Sequence, residues 1–370
     1  MLKSYYKIST YQAIMLLVLT KLIDAYTYLP IILPPPGNQD VWVVGLGTML
    51  YNGILSLLTL FLLNKYKNLS IIQIGELLLG KVGGKIISLL TAIFLFYHCT
   101  YRVALIGYFT RSFMLPDTPL YLIIGATLIC CCYSAYKGLS IHGRLAEIIT
   151  PIILIDIIIV LLLNLRITDF KVFLPILKTT TFKELNFASI VTAITYDQIF
   201  LLGLIFPNLK KREEVNKIYI YFLIIITAFH LMIIISTLGV FGVKQALHQS
   251  LPYLASLQQI SVLKFVQRLE VFSIFSWIIG MYIDLSLSIY LASKITSYVV
   301  SVKKFNIFII PYAILTYIVC NLEPFKKNIY IRKMMTYKIK TPLMSVFIIV
   351  IPVILIIMYF IRGKPSADKK

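Results

Sequence analysis

Charged side chains are scarce in this chain, and their scarcity excludes several classes of protein. Asp, Glu, Lys and Arg together make up 14% of its 370 residues, whereas hydrophobic residues make up 59%. A soluble domain of this length needs more polar surface than that. No glycine-rich phosphate-binding loop is present. Any driving energy must therefore come from a partner, a gradient or ligand binding.

Cysteine is also rare, and its spacing does not indicate a metal site. The chain has five cysteines, all in apolar runs and none in a ligand-like pattern with histidine. They are expected to be small buried hydrophobic side chains rather than disulfide partners. No nucleophile occurs with a recognisable base and orienting group. We therefore expect no enzyme activity, no cofactor and no metal.

Ten long apolar runs are present, and they predict an all-α integral membrane protein. A helix needs about 20 apolar residues to cross the hydrocarbon. A transmembrane strand would show about 10 residues of alternating polarity, which these runs do not. The predicted spans 1 to 10 cover residues 11–33, 42–63, 86–110, 119–136, 147–165, 186–206, 217–241, 269–299, 305–320 and 341–361.

The net charge of +20 is distributed in a way that predicts topology rather than nucleic-acid binding. Basic residues concentrate in short connections such as Lys65–Lys85 and Lys210–Lys217, and cytoplasmic loops are enriched in them. Both termini are therefore predicted to be cytoplasmic, with a short tail at 362–370. One predicted outside loop, Glu323–Lys340, holds six basic residues. Either it lies on an anionic surface, or it docks a partner, or the count is wrong near span 9.

The spans divide into two groups of five within a single domain, 1–370. Repeat one covers about 11–165 and repeat two about 186–361; an odd number of spans makes the two repeats inverted. Inverted repeats with broken helices are common in secondary transporters. The equivalent spans 1 and 6 both carry polar interruptions, at Lys21 and Asp24 and at Thr195–Gln198. Broken helices 1 and 6 are therefore predicted.

Four segments in order resemble one family, the spore germination permease-like proteins. These are the B subunits of endospore germinant receptors, in the amino acid–polyamine–organocation superfamily. The segments are Lys7–Gln12 ("IS..Q"), Leu115–Pro119 ("LP.TP"), Gly138–Ile148 ("GLE.I.R..EI"), and Pro252 with Phe265–Glu270 and Trp277 ("P......F.QRLE......W"). The resemblance covers essentially the whole chain.

The resemblance implies a LeuT-like bundle that senses germinants in the inner membrane of a dormant spore. It also implies A and C partner subunits and a small-molecule germinant such as an amino acid, sugar, nucleoside or ion. Relatives tend to break span 1 at a glycine pair, where this chain has Ile23-Asp24-Ala25. Asp24 would repel a carboxylate, so a cation, a cationic group or a hydroxyl-rich ligand is expected to suit it better.

Polar side chains inside the spans are the candidate site residues, because an ionised group in mid-membrane is costly and usually faces a partner, a ligand or water. Structural pairing between helices remains an alternative reading for each charged one. The candidates for ligand binding are Asp24, Ala25, Tyr26, Tyr97, Tyr101, Tyr196, Asp197, Gln198 and Asp284. The candidates for charge pairing or gating are Lys21, Arg102 and Asp156.

Three functions stay open at this point. The preferred one is a receptor subunit that binds a small polar germinant between spans 1, 3, 6 and 8. The second is a permease for an amino acid or amine, coupled to H⁺ or a cation. The third is a scaffold that holds partner subunits without a ligand.

Overall fold

The computed structural model describes residues 7–27, 38–249, 252–259, 269–322 and 337–362. The regular elements in these ranges are helices, apart from one isolated bridge between Ile8 and Leu209. The α-helices are α1 (Thr10–Thr27), α2 (Val41–Lys65), α3 (Ile71–Phe113), α4 (Leu120–Lys137), α5 (Leu139–Asn164), α6 (Phe182–Ile194), α7 (Gln198–Ile205), α8 (Val215–His248), α9 (Pro252–Gln258), α10 (Leu269–Val299), α11 (Ile309–Cys320), α12 (Tyr337–Ser345) and α13 (Ile351–Arg362). Short 3-10 turns at Phe170–Phe173, Phe206–Asn208, Arg212–Glu214 and Phe305–Phe308, and a π turn at Val346–Val350, complete the described helical structure.

Every predicted span contains a described helix, which confirms the all-α membrane architecture. Eight helical segments are long and apolar enough to cross a membrane, and the apolar segment Phe305–Cys320 is shorter. Span 1 is helical from Thr10 to Thr27, through Ile23, Asp24 and Ala25, so the prediction of a break at Lys21 and Asp24 was wrong. The rest of span 1, to residue 33, lies outside the described residues.

Span 6 is broken, as the polar interruption predicted. Helix α6 ends at Ile194 and α7 begins at Gln198, so Thr195–Asp197 join two separate helices. An interruption frees backbone carbonyl and N–H groups, which inside a membrane must find polar partners. This break therefore creates a polar position within an otherwise apolar segment.

Two glycines bend the longest helices. Gly80 (φ 80°) lies inside α3 and Gly242 (φ 67°) inside α8, and a positive φ is favourable only for glycine. The first arm of α3 starts at a capping box, in which Ser70 and Gln73 bond each other's backbone N–H groups. The kink at Gly80 gives this arm, Ile71–Leu79, its own direction ahead of the main part of span 3.

Spans 6 and 8 lie at the centre of the bundle. In the most apolar window of each, 83% and 78% of residues are buried, against 33–50% in the other six long helical segments. Helix α10 packs against α3, α4, α5 and α1. Polar side chains on spans 6 and 8 therefore face protein rather than lipid.

Close packing of α1 and α10 depends on Gly280. A Cβ at this position would lie 2.8 Å from Ile23 Cγ2 and 3.3 Å from Leu19 Cδ1. We expect Gly280→Ala to destabilise the fold by about 1–3 kcal/mol, because a β-branched neighbour cannot easily move. Gly125→Ala is the matched control, since its Cβ would meet only Tyr317 at 3.6 Å. Thermal unfolding in detergent measures both, and equal shifts would contradict the packing argument.

The cysteines are partly as expected. Cys99, Cys131 and Cys320 are buried, and none of the five forms a disulfide. The expectation of burial was wrong for Cys130, which is exposed, and for Cys132, which is half-buried. Both lie on α4, where successive residues turn from the bundle toward its outer surface.

Candidate functional site

A buried arginine joins spans 1, 3 and 8. Arg102 Nη1 lies 2.5 Å from Asp24 Oδ1, and Arg102 Nε lies 2.7 Å from Asp284 Oδ2. Arg102 is 2% exposed, so both ion pairs are shielded from solvent. Asp24 and Asp284 thus hold one guanidinium between two helices. Breaking such a buried pair leaves an uncompensated charge.

Asp24 is surrounded by cations. Besides Arg102, Lys340 Nζ lies 3.3 Å and Lys21 Nζ 3.9 Å from Asp24 Oδ2. Lys340 belongs to α12, so the assignment of this residue to the loop Glu323–Lys340 was wrong. Its ammonium enters the bundle to pair with span 1. Residues 323–336 of that loop lie outside the described residues.

The Lys21 ammonium lies at the break of span 6. Its Nζ is 3.4 Å from the Thr195 carbonyl oxygen and 3.9 Å from the centroid of the Tyr196 ring. A free carbonyl and an aromatic face both attract ammonium groups. The Tyr196 hydroxyl is in turn 2.7 Å from His230 Nδ1. Lys21 therefore binds the polar groups that the break exposes.

A cavity of about 30 Å³ lies beside this network, between spans 1, 3, 6 and 8. A space of this size holds about two water molecules. Three candidate residues line it, namely Asp197, Gln198 and Asp284. The other lining residues are Thr20, Phe94, Leu95, His98, Phe200, Leu201, Leu204, Leu287, Ser288 and Leu291.

The polar wall of this cavity comes from two sides. On one side, His98 of span 3 faces two residues of span 8. Its Nε2 lies 3.7 Å from Asp284 Oδ2, and its Nδ1 lies 3.1 Å from the Ser288 hydroxyl. On span 6, Asp197 precedes α7 without capping it through its side chain. Among the described residues Asp197 has no ion pair within 4 Å. Asp197 and Asp284 thus place two carboxylates in the lining of one cavity.

Three further candidates, Tyr97, Tyr101 and Asp156, do not line the cavity. Tyr101 is buried next to Arg102, whose guanidinium carbon is 5.5 Å from its ring. Tyr97 is half-buried on the same helix. Asp156 accepts a hydrogen bond from the Ser273 hydroxyl at 2.8 Å. The side chains of Ala25 and Tyr26 lie outside the described part of the structure.

The candidate site residues chosen from the sequence do not include His98, Ser288 or Lys340. Ser288 follows Asp284 by one helical turn, so helical spacing could have identified it. His98 lies one turn before Arg102 on α3, and the same spacing applies. Nothing in the sequence places Lys340 against Asp24, because that contact depends on how α12 packs.

Comparison with protein families gives a match over most of the chain. A family model described as "Spore germination protein" matches residues 7–327. Spore germination protein KB of Bacillus subtilis (strain 168) is 26% identical over 187 residues, half of this chain and half of that protein. Spore germination protein YndE of the same strain is 22% identical, over 78% of this chain and 79% of that protein. Spore germination protein XB of Bacillus anthracis is 24% identical, over 75% and 78%.

A solved structure shares the fold. It is that of MHP1, a nucleobase-cation-symport-1 family transporter, in a closed conformation with bromovinylhydantoin bound. The TM-score is 0.70 over 96% of this chain and 79% of that one, at 12% sequence identity. This match confirms the predicted LeuT-like fold. The boundaries of the two repeats remain a prediction.

Proposed function

The chain belongs to the spore germination protein family, and from this premise we propose that it is the germinant-binding membrane subunit of a spore germinant receptor. The germinant is a small polar molecule, of the amino acid, sugar, nucleoside or ion classes. Its binding site is the cavity between spans 1, 3, 6 and 8. Its partners are the A and C subunits of the receptor. The receptor lies in the inner membrane of the spore, and both termini of this subunit are cytoplasmic.

One observation carries this proposal. The break of span 6 directs Asp197 and Gln198 into a cavity whose opposite wall holds Asp284, His98 and Ser288. Hydrogen-bond donors and acceptors thus meet at one small space inside an apolar bundle. Groups of this kind persist within a membrane mostly where they serve a ligand, an ion or a proton.

The charge pattern favours Asp197 over Asp24 as the ligand's carboxylate partner. Asp24 already has three cations within 4 Å. From the sequence, Asp24 was expected to bind a cationic group of the ligand. The residue now proposed to bind that group is Asp197. A ligand with hydroxyl or ammonium donors can bind this carboxylate, whereas Lys21 already occupies the Thr195 carbonyl.

The cavity is too small for an amino acid, a sugar or a nucleoside in this conformation, so binding of any of these requires spans 1 and 6 to separate from spans 3 and 8. A ligand can shift such an equilibrium only by its differential affinity for the two packings. Lys21 and Lys340 hold span 1 to spans 6 and 10 in the closed packing. Partner subunits would respond to the rearrangement of these contacts.

A permease coupled to H⁺ or a cation is the second candidate, and the shared fold with a cation-coupled transporter favours it. The two candidates differ in uptake. Spores whose only receptor contains this subunit are exposed to a panel of amino acids, sugars, nucleosides and salts. The active compound is then offered, radiolabelled, to vesicles that hold the subunit alone.

A germinant response without uptake supports the receptor subunit. Accumulation of the label in vesicles supports the permease instead. A response that persists unchanged when Asp197 and Gln198 are both replaced would indicate a ligand-free scaffold.

A further inference from the structure

A second cavity adjoins the first, where the arm of α3 (residues 71–79) meets the ends of spans 6 and 8. Its volume is about 100 Å³, more than three times that of the central cavity at about 30 Å³. Its walls combine apolar and polar groups. The lining residues are Ser70, Ile72, Gln73, Leu204, Pro207, Asn208, Leu291, Lys294, Ile295 and Tyr298.

A lysine without a carboxylate partner faces this cavity. Lys294 is half-buried on α10, and its Nζ has one polar contact, a neutral one, at 3.4 Å to Asn208 Oδ1. The centroid of the Tyr290 ring lies 5.6 Å from the same ammonium. Among the described residues Lys294 forms no ion pair within 4 Å. A partly buried charge in this situation needs a counter-charge.

The start of α3 adds further positive potential on the opposite wall. The first turn of this helix carries no acidic residue. The N–H groups of its first residues have no intrahelical acceptor, and a helix N-terminus favours anions. In the capping box Gln73 uses its Oε1 atom as acceptor, which leaves its amide NH₂ as a donor. The acidic residue Glu76, further along α3, accepts a hydrogen bond from the Tyr298 hydroxyl and does not line the cavity.

We propose that this cavity binds a phosphate group, with Lys294 as its charged ligand and the start of α3 as the second set of donors. The residues that line the space carry an ammonium, an amide NH₂ and the N–H groups of a helix start, and phosphate offers several acceptor oxygens to such donors. The phosphate belongs either to a soluble phosphate ester or to the headgroup of an anionic lipid. The apolar residues Pro207 and Ile295 complete the walls.

Occupancy of this cavity bears on the germinant site through two shared residues. Leu204 and Leu291 line both cavities. These two side chains separate the central space from the phosphate site. A bound phosphate therefore stabilises the packing of spans 6 and 8 next to the central cavity, whatever the identity of the germinant.

The test uses the full chain purified in neutral detergent, with inorganic phosphate as the soluble probe. Lys294→Gln is expected to weaken phosphate binding at least about tenfold, because a charge-assisted hydrogen bond is lost. Lys304→Gln, at an exposed lysine near the same end of span 8, is the control and is expected to bind like the wild type. Lys294→Arg is expected to retain binding.

A second arm distinguishes the lipid source. The same proteins are placed in bilayer nanodiscs of phosphatidylcholine with or without phosphatidylglycerol, and retained lipid is counted by native mass spectrometry. Retention of phosphatidylglycerol that is lost in Lys294→Gln identifies a headgroup, whereas loss of inorganic phosphate binding alone identifies a soluble anion.

Equal binding of both probes by wild type and Lys294→Gln would overturn the proposal. Gln73→Leu provides a second variant if Lys294→Gln does not fold, because Gln73 is exposed. It is expected to weaken binding several-fold by removing one donor. If Lys294→Gln does not fold, unchanged binding of both probes by Gln73→Leu would overturn the proposal.

Discussion

Replacing Arg102 by methionine should lower the free energy of unfolding by about 3–5 kcal/mol, the usual cost of breaking a buried ion pair on one side. The substitution leaves Asp24 and Asp284 without the guanidinium that lies 2.5 and 2.7 Å from them. Asp24 keeps Lys21 and Lys340 as partners. Asp284 keeps only His98 among its ion-pair partners in the described residues, so most of the loss is expected there.

The measurement is thermal unfolding of the purified protein in detergent. Arg111→Met, at an exposed position of the same helix, is the control and should change stability by less than about 0.5 kcal/mol. Adding Asp284→Asn to Arg102→Met should recover part of the loss, because the uncompensated carboxylate is then neutral. Equal shifts for Arg102→Met and Arg111→Met would contradict the ion-pair account.

The parts of the site that the sequence predicts are those carried by local pattern. Four polar residues, Thr195–Gln198, interrupt an apolar run, and the helix breaks there. The sequence also shows that Arg102 needs an acceptor within the membrane. It offers Asp24, Asp156, Asp197 and Asp284 equally, because helical spacing contains no information about which helices meet. Only packing assigns Arg102 to Asp24 and Asp284.

The apolar lining of the central cavity could not be predicted. Phe94, Leu95 and Leu201 line it, but exposed leucines such as Leu50 and Leu57 face outward. In a membrane protein both surfaces are apolar, so hydrophobic pattern does not separate cavity-facing from lipid-facing residues. The contact of Lys340 could not be predicted either, because its partner Asp24 lies 316 residues earlier in the chain and only the packing of α12 brings the two together.

The second large effect is expected at Asp197. Asp197→Asn keeps the shape of the side chain and removes its charge, at a position that lines the central cavity and does not cap α7. A hydrogen bond to a charged group contributes about 1.5–3 kcal/mol. Its loss should raise the germinant concentration for half-maximal response at least about tenfold. Stability should change little, since no ion pair of a described residue is broken.

The most direct test of the germinant site is therefore the dose–response curve of germination in spores whose only receptor contains this subunit. Wild type, Asp197→Asn and Asp117→Asn are compared, the last being an exposed aspartate in the turn after span 3. The account predicts a rightward shift of at least about tenfold for Asp197→Asn and none for Asp117→Asn. Superimposable curves for all three, with equal amounts of subunit in the membrane, would contradict it.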